Sequence, residues 1–227
     1  MPSWNIHSAH VEQLLREELA EALGIVDKNA FLFGNFVPDV YVGYVVSPIS
    51  HKIEYRDSHF AAAEAIPAPN ASSFYKLYVR DRKAGDLELG AWAHLICDHY
   101  YNQRTKEYIA RIGVKPGTEM RIRKQADFDL FGRTLDIERV PEATPELFKA
   151  CAHFAQYPID EQDVRAAIAA EERIVSKNIR EHVVDAPTYS LLTPEFFSAT
   201  YAEVDNALRA ALHAYANGLD ASSIGRS

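Results

Sequence analysis

The sequence predicts an all-α protein, read as one helical domain over residues 1–227. Apolar residues recur at three- and four-residue spacing through several long stretches, cap-type residues bracket those stretches, and strand-like alternation is hard to find anywhere. The composition, 48% apolar and 25% charged, is that of a globular chain long enough to bury a sizeable core. No composition shift, Gly/Ser-rich linker or internal repeat divides it.

Residues 8–23 read as an amphipathic helix with Val11, Leu14, Leu15, Leu19, Ala22 and Leu23 on one stripe and Gly24 placed to end it. A short apolar segment, Ala30–Val37, runs into Pro38, which biases Val37 away from helical geometry and leaves Asp39 just past the turn. Residues 40–58 lack helical period and read as a loop, after which His59 opens a short helix to about Ile66. Helices are predicted over 71–82 and 86–111, separated by Lys83, Ala84 and Gly85, and the second of these is long and strongly patterned. Further helices are expected near 117–138, 145–155, 160–179 and 194–217, the last opened by the pair Thr193-Pro194.

Charge and composition exclude some functions. A net charge of −8 argues against a long nucleic acid as partner, because such binders need an excess of Lys and Arg to neutralise phosphates. A small phosphorylated substrate stays open. The amino terminus lacks a basic start, apolar run and small-residue cleavage site, and no stretch reaches the length of a membrane span, so the expected location is cytoplasmic. Cys97 and Cys151 read as packed, reduced thiols, so any metal must be held by His and carboxylate.

In GAWAHLICDHYYN, His94 and Asp98 stand four residues apart and so share one helix face. Leu87, Ala91, Leu95 and Tyr101 neighbour them, which turns both polar groups inward. A buried carboxylate needs a partner, and a cation is one. A hydrogen-bonded core pair also fits that spacing. On a wheel of about 100° per residue His7 lies at the edge of the Val11–Leu14–Leu15 stripe, whereas His10 is rotated about 60° further out and is expected toward solvent. Asp39, delivered by FLFGNFVPD, reads as a functional carboxylate or a turn residue, and His59 in RDSHF as a ligand or a capping residue.

Taken in order, MPSWNIH, FLFGNFVPD, SHF at 58–60 and GAWAHLICDHYYN resemble the zinc-dependent phospholipase C family, in its compact bacterial branch without an export signal. The resemblance covers residues 2–102 by motif and extends more weakly through KQADFDLFG at 124–132. It implies a helical fold of the phospholipase C/P1 nuclease type and metal-dependent phosphoester hydrolysis by metal-activated water, on a small phosphoester or phospholipid-like substrate. It also implies that Asp39, His59, His94 and Asp98 surround one zinc or other divalent transition metal, and that His7 binds a second ion sharing Asp98. Asp39 has a catalytic role as well in this reading, orienting or deprotonating the water.

The sequence departs from the family pattern in two places. Secreted members begin at a tryptophan that binds metal through its amino group, whereas Trp4 here follows Met1-Pro2-Ser3. A third zinc in those members uses a histidine soon after the His-x-x-x-Asp pair and a later His-x-x-x-Glu. Arg104 stands six residues after Asp98, and His153 and His182 are followed by Tyr157 and Ala186, so a third ion is not expected unless His99, His153 or His182 supplies it.

The basic stretch Arg104–Lys124 reads as an attractor for an anionic substrate or as a solvated helix face. Tyr41, Tyr44, Tyr55, Tyr100 and Tyr101 read as pocket lining or as packing. A helical phosphohydrolase of the His-Asp type fits less well, because the nearest approach to its dipeptide, Asp98-His99, is reversed. The alternative from another class is a metal-stabilised structural or ligand-binding protein of the same fold without turnover.

Overall fold

The computed structural model describes residues 2–81 and 84–226, and within them the regular structure is entirely helical. Ten α-helices follow in order: α1 (Trp4–Glu17), α2 (Lys28–Gly34), α3 (Val37–Val40), α4 (Tyr55–His59), α5 (Ala71–Phe74), α6 (Asp86–Arg111), α7 (Thr118–Gly132), α8 (Pro145–Ala152), α9 (Glu161–Arg180) and α10 (Pro194–Ala216). None of the described helices is long and apolar enough to cross a membrane.

The long helices begin where their caps stand. Thr193 accepts a hydrogen bond from the Phe196 amide and Thr144 from that of Leu147, each ahead of a proline that lacks the N–H a first turn cannot satisfy. Glu88 reaches back to the Gly85 amide at 2.9 Å, and Asp86 accepts the amides of Val26 and Asp27, which ties the start of α6 to the start of α2. Most buried apolar side chains form one contiguous core around α6, including Trp92, Leu95 and Ile96, with a small satellite of Ala9, Ile137 and Val175.

Several sequence expectations are corrected. The helix expected over 8–23 starts at Trp4 and stops at Glu17; Glu18 is extended, and Ala20–Leu23 is a separate 3₁₀ turn closed by Gly24 at φ 75°. In that conformation the Glu18 carboxylate meets Arg209 and His213 of α10. The apolar 30–37 segment is helical, and so is Val37: Pro38 sits in the first turn of α3, where its ring and missing N–H do no harm. His59 does not open a helix to Ile66; it closes α4, and Phe60 follows at φ 54°. A left-handed phenylalanine is unfavourable on its own, and here its ring is held against Phe74 and Tyr78. The 71–82 helix is α5 followed by a wider π turn, Tyr75–Val79; Arg82 and Lys83 lie outside the described residues.

One close crossing positions much of the site. A Cβ on Gly90 of α6 would stand 2.1 Å from the Phe31 carbonyl, and one on Gly34 of α2 would stand 2.2 Å from the Leu87 carbonyl. Only two glycines let these backbones approach so far. Just past the crossing, the Asn35 carbonyl reaches His94.

Candidate metal centre

Four helices deliver five polar side chains to one point. His7 comes from the second turn of α1, Asp39 from α3, His59 from the last position of α4, and His94 with Asp98 from successive turns of α6. All five are at most 2% exposed. His59 Nε2 lies 3.3 Å from His94 Nε2, 3.5 Å from Asp39 Oδ1 and 3.6 Å from Asp98 Oδ2. His7 Nε2 lies 3.3 Å from Asp98 Oδ1, and its ring stacks on that of His94 with centroids 4.0 Å apart. Two three-residue groups have ligand atoms close enough to share an ion: His7, His94 and Asp98, and Asp39, His59 and His94.

Neighbouring groups dictate where the imidazole protons sit. His94 Nδ1 is 2.8 Å from the Asn35 carbonyl, which can only accept, so that nitrogen carries the proton and Nε2 presents a lone pair. Ser58 Oγ is 2.7 Å from His59 Nδ1 and 3.3 Å from the Tyr55 carbonyl; when it donates to the carbonyl it accepts from Nδ1, and His59 Nε2 then presents a lone pair as well, the tautomer that a cation selects. The two Nε2 atoms face each other at 3.3 Å with carboxylate oxygens beside them, held together by a shared proton or, in the ligating tautomers, by a cation. His7 Nε2, Asp39 Oδ1 and Asp98 Oδ1 are buried without hydrogen-bond partners, the His7–Asp98 approach being too poorly aligned to count as one. Such a concentration of acceptors out of water is costly unless a cation shares it. Nitrogen and oxygen donors with backbone and hydroxyl groups orienting the rings suit zinc and its first-row neighbours, so these residues fit a divalent metal.

The two carboxylates are held differently. Asp98 turns Oδ1 to His7 and Oδ2 to His59, His94 and the Tyr55 hydroxyl, which donates at 3.0 Å. His94 has one free nitrogen and can serve one ion only, so Asp98 is the residue able to face both groups. Asp39 Oδ2 accepts from the Trp4 indole N–H at 2.9 Å while Oδ1 stays unpartnered. Burial lowers His7 to about 4 and pushes His59 well below the usual histidine range, which keeps both rings neutral and able to ligate at neutral pH. Burial also raises Asp39, with the Asp98 charge adding to the effect. For Asp98 burial works upward too, but the approach of His7 and the potential of His94 outweigh it and hold the carboxyl far below the ordinary range.

A cavity of about 930 Å³ opens beside this cluster, with Trp4, Asp39, Tyr55 and Asn102 on the near wall and α7 on the far one. Of the expected pocket aromatics, Tyr44 and Tyr55 line it; Tyr41 and Tyr101 are core residues and Tyr100 is half-buried. The basic stretch divides in the same way. Arg104 pairs with Glu203 and Glu107, Lys106 with Glu64, and Arg111 lies over Tyr108, whereas Arg121 and Lys124 line the cavity.

His10, expected toward solvent, is 1% exposed. Its ring stacks on Tyr201 of α10 and its Nε2 is 3.4 Å from the Tyr101 hydroxyl. The helix wheel misplaces it because α1 is covered on more than one side, by α7, α9, α10 and α6. Of the histidines considered for a third ion, His99 and His153 lie against the backbone carbonyls of Pro69 and Lys149, and His182 lies near Asp136. Sequence reasoning missed the Trp4 indole, the Asn35 carbonyl and the Tyr55 hydroxyl as positioning groups. Only Ser58, adjacent to His59, carried a local signal.

No protein family, curated protein or solved structure matches the chain.

Proposed function

We propose that the chain is a metal-dependent phosphoester hydrolase of the zinc-dependent phospholipase C type. The observation that carries this reading is the facing pair of Nε2 atoms on His59 and His94, 3.3 Å apart and flanked by Asp39 and Asp98, next to a cavity large enough for a substrate. Asp39, His59, His94 and Asp98 would hold one ion, and His7 a second through Asp98. The ions would supply Lewis-acid polarisation of a phosphoryl oxygen and acidify a water at the cavity wall.

The chain's own groups then have distinct tasks. Trp4 fixes Asp39 through Oδ2, leaving Oδ1 unpartnered beside His59 Nε2, where it would orient a water or take its proton. Tyr55, itself hydrogen-bonded by Asn102, steadies Asp98, while Asn35 and Ser58 hold the two imidazoles in the tautomers that ligate. The substrate in this reading is a small or phospholipid-like phosphoester.

The near-complete burial of all five residues also favours a second reading, in which the metal only stabilises the fold. Elemental analysis of protein prepared without chelators or added metal, followed by an assay on nitrophenyl phosphoesters, phosphatidylcholine and short nucleotides, separates the two. Hydrolysis is expected to depend on zinc and to vanish in His94→Ala. Stoichiometric metal without turnover favours the structural reading, and protein that takes up no metal even from added zinc overturns both.

A further inference from the structure

Resting on the phosphoester reading for the reacting group, we infer that Arg121 and Lys124 form a second anion subsite in the cavity, so that the substrate is a phosphoester bearing a further phosphate or carboxylate. The two residues stand three apart on α7, on one face, and both line the cavity that also contains Asp39 and Tyr55. Lys124 is only 7% exposed, with its ammonium 5.7 Å from the centre of the Phe128 ring.

Their charges differ from those of the other cations around them. Arg133 and Lys177, which line the same cavity, share the carboxylates of Asp129 and Glu181. Arg123, between the pair in sequence, turns away to the Ser190 carbonyl. Among the described residues no carboxylate lies within ion-pairing distance of Arg121 or Lys124, although the chain carries 32 acidic residues against 24 basic ones. Two like charges near each other, one of them withdrawn from water, are unfavourable until an anion joins them. The ion pairs elsewhere on α6 and α7 show that the fold had acidic side chains to spend on such neutralisation. At this wall it leaves the work to a ligand.

The position suits one end of a bifunctional substrate. Both residues line the cavity whose wall also carries Asp39 of the metal cluster and Tyr55, the hydrogen-bond donor to Asp98. A cavity of about 930 Å³ is at the upper end of the size range for small-molecule sites. It accommodates a phosphoryl group at the cluster together with a short leaving group whose own anion reaches α7.

The test uses two ligands with no hydrolysable bond, propylphosphonate and propane-1,3-bisphosphonate, titrated by calorimetry into the zinc-loaded full chain, with zinc content checked afterwards. The bisphosphonate is expected to bind about tenfold more tightly than the monophosphonate, and Arg121→Gln to cut that preference to about threefold or less. Lys124→Gln should act in the same direction. Should its burial make that variant fold poorly, the exposed Arg121 position decides. A bisphosphonate that binds no more tightly than its monophosphonate, or a preference that survives Arg121→Gln, overturns the subsite. Failure of the hydrolase reading is distinguishable: the monophosphonate would then not bind, or would bind His94→Ala as well as wild type. A bisphosphonate affinity dependent on Arg121 and not on His94 would leave the anion subsite standing without it.

Discussion

Gly90→Ala sets two physical effects of opposite sign against each other. On an isolated helix the substitution is favourable by about 1 kcal/mol, because alanine loses less backbone entropy than glycine. At the α2–α6 crossing the new Cβ would stand 2.1 Å from the Phe31 carbonyl oxygen and 2.8 Å from the Asn35 nitrogen, both backbone atoms that cannot swing aside. To restore ordinary contact, at least 3.4 Å, the two helices must separate by about 1.3 Å at that point. Overpacking of this kind costs about 1–3 kcal/mol. The same displacement stretches the 2.8 Å bond from His94 to the Asn35 carbonyl beyond hydrogen-bond range, a further loss of about 1 kcal/mol. The net expectation is a destabilisation of about 1–3 kcal/mol, and His94 freed from its orienting carbonyl should bind zinc about 10–100-fold more weakly. Urea unfolding of the metal-free protein measures the first quantity, and competition with a chromogenic chelator the second. A variant as stable as wild type, or more stable by the helix-propensity increment, with unchanged zinc affinity, would refute the claim that this crossing builds the site.

Trp4→Phe keeps the ring stacked on Phe36 but removes the N–H that holds Asp39 Oδ2; zinc affinity should fall about tenfold or more with little change in the far-ultraviolet dichroism, and an unaltered affinity would show that Asp39 needs no such anchor. His10→Ala and Asp98→Ala should both lower the melting temperature, since both residues are buried, but only Asp98→Ala should reduce bound metal; equal metal content in the two variants would remove Asp98 from the ligand set. Burial raises Glu171 from 4.5 to about 8, with Ser8 hydrogen-bonded to one oxygen and the other unpartnered. An unfolded chain ionises this group from about pH 4.5 upward while the fold keeps it neutral, so its contribution is complete below 4.5 and is lost as pH rises to about 8, with a limiting slope of about 1.4 kcal/mol per pH unit. Glu171→Gln escapes that loss: its stability relative to wild type should improve steadily from pH 5 to pH 8, and a difference constant across that range would contradict the neutral carboxyl.

Features with a local cause were legible in the residues alone. The limits of α6 follow from Asp86 and Glu88 at one end and an unbroken helical pattern to Arg111, and the four-residue spacing of His94 and Asp98 then places them on one face without reference to any other part of the chain. Thr144, Thr193 and their prolines mark the starts of α8 and α10 for the same reason. Short segments were less legible. Around Pro38 and His59 the backbone follows its packing against the core, so α3 tolerates its proline and α4 ends on the histidine expected to begin it. The surroundings of each polar group depend on how the helices pack. His10 is enclosed because three further helices besides α6 pack on α1, Trp4 finds Asp39 across 35 residues, and Arg121 and Lys124 separate from the rest of a basic stretch because one cavity wall lies where they point. Periodicity reports one helix's angular preference, whereas burial and charge pairing depend on neighbours tens of residues away, and no local pattern encodes those distances.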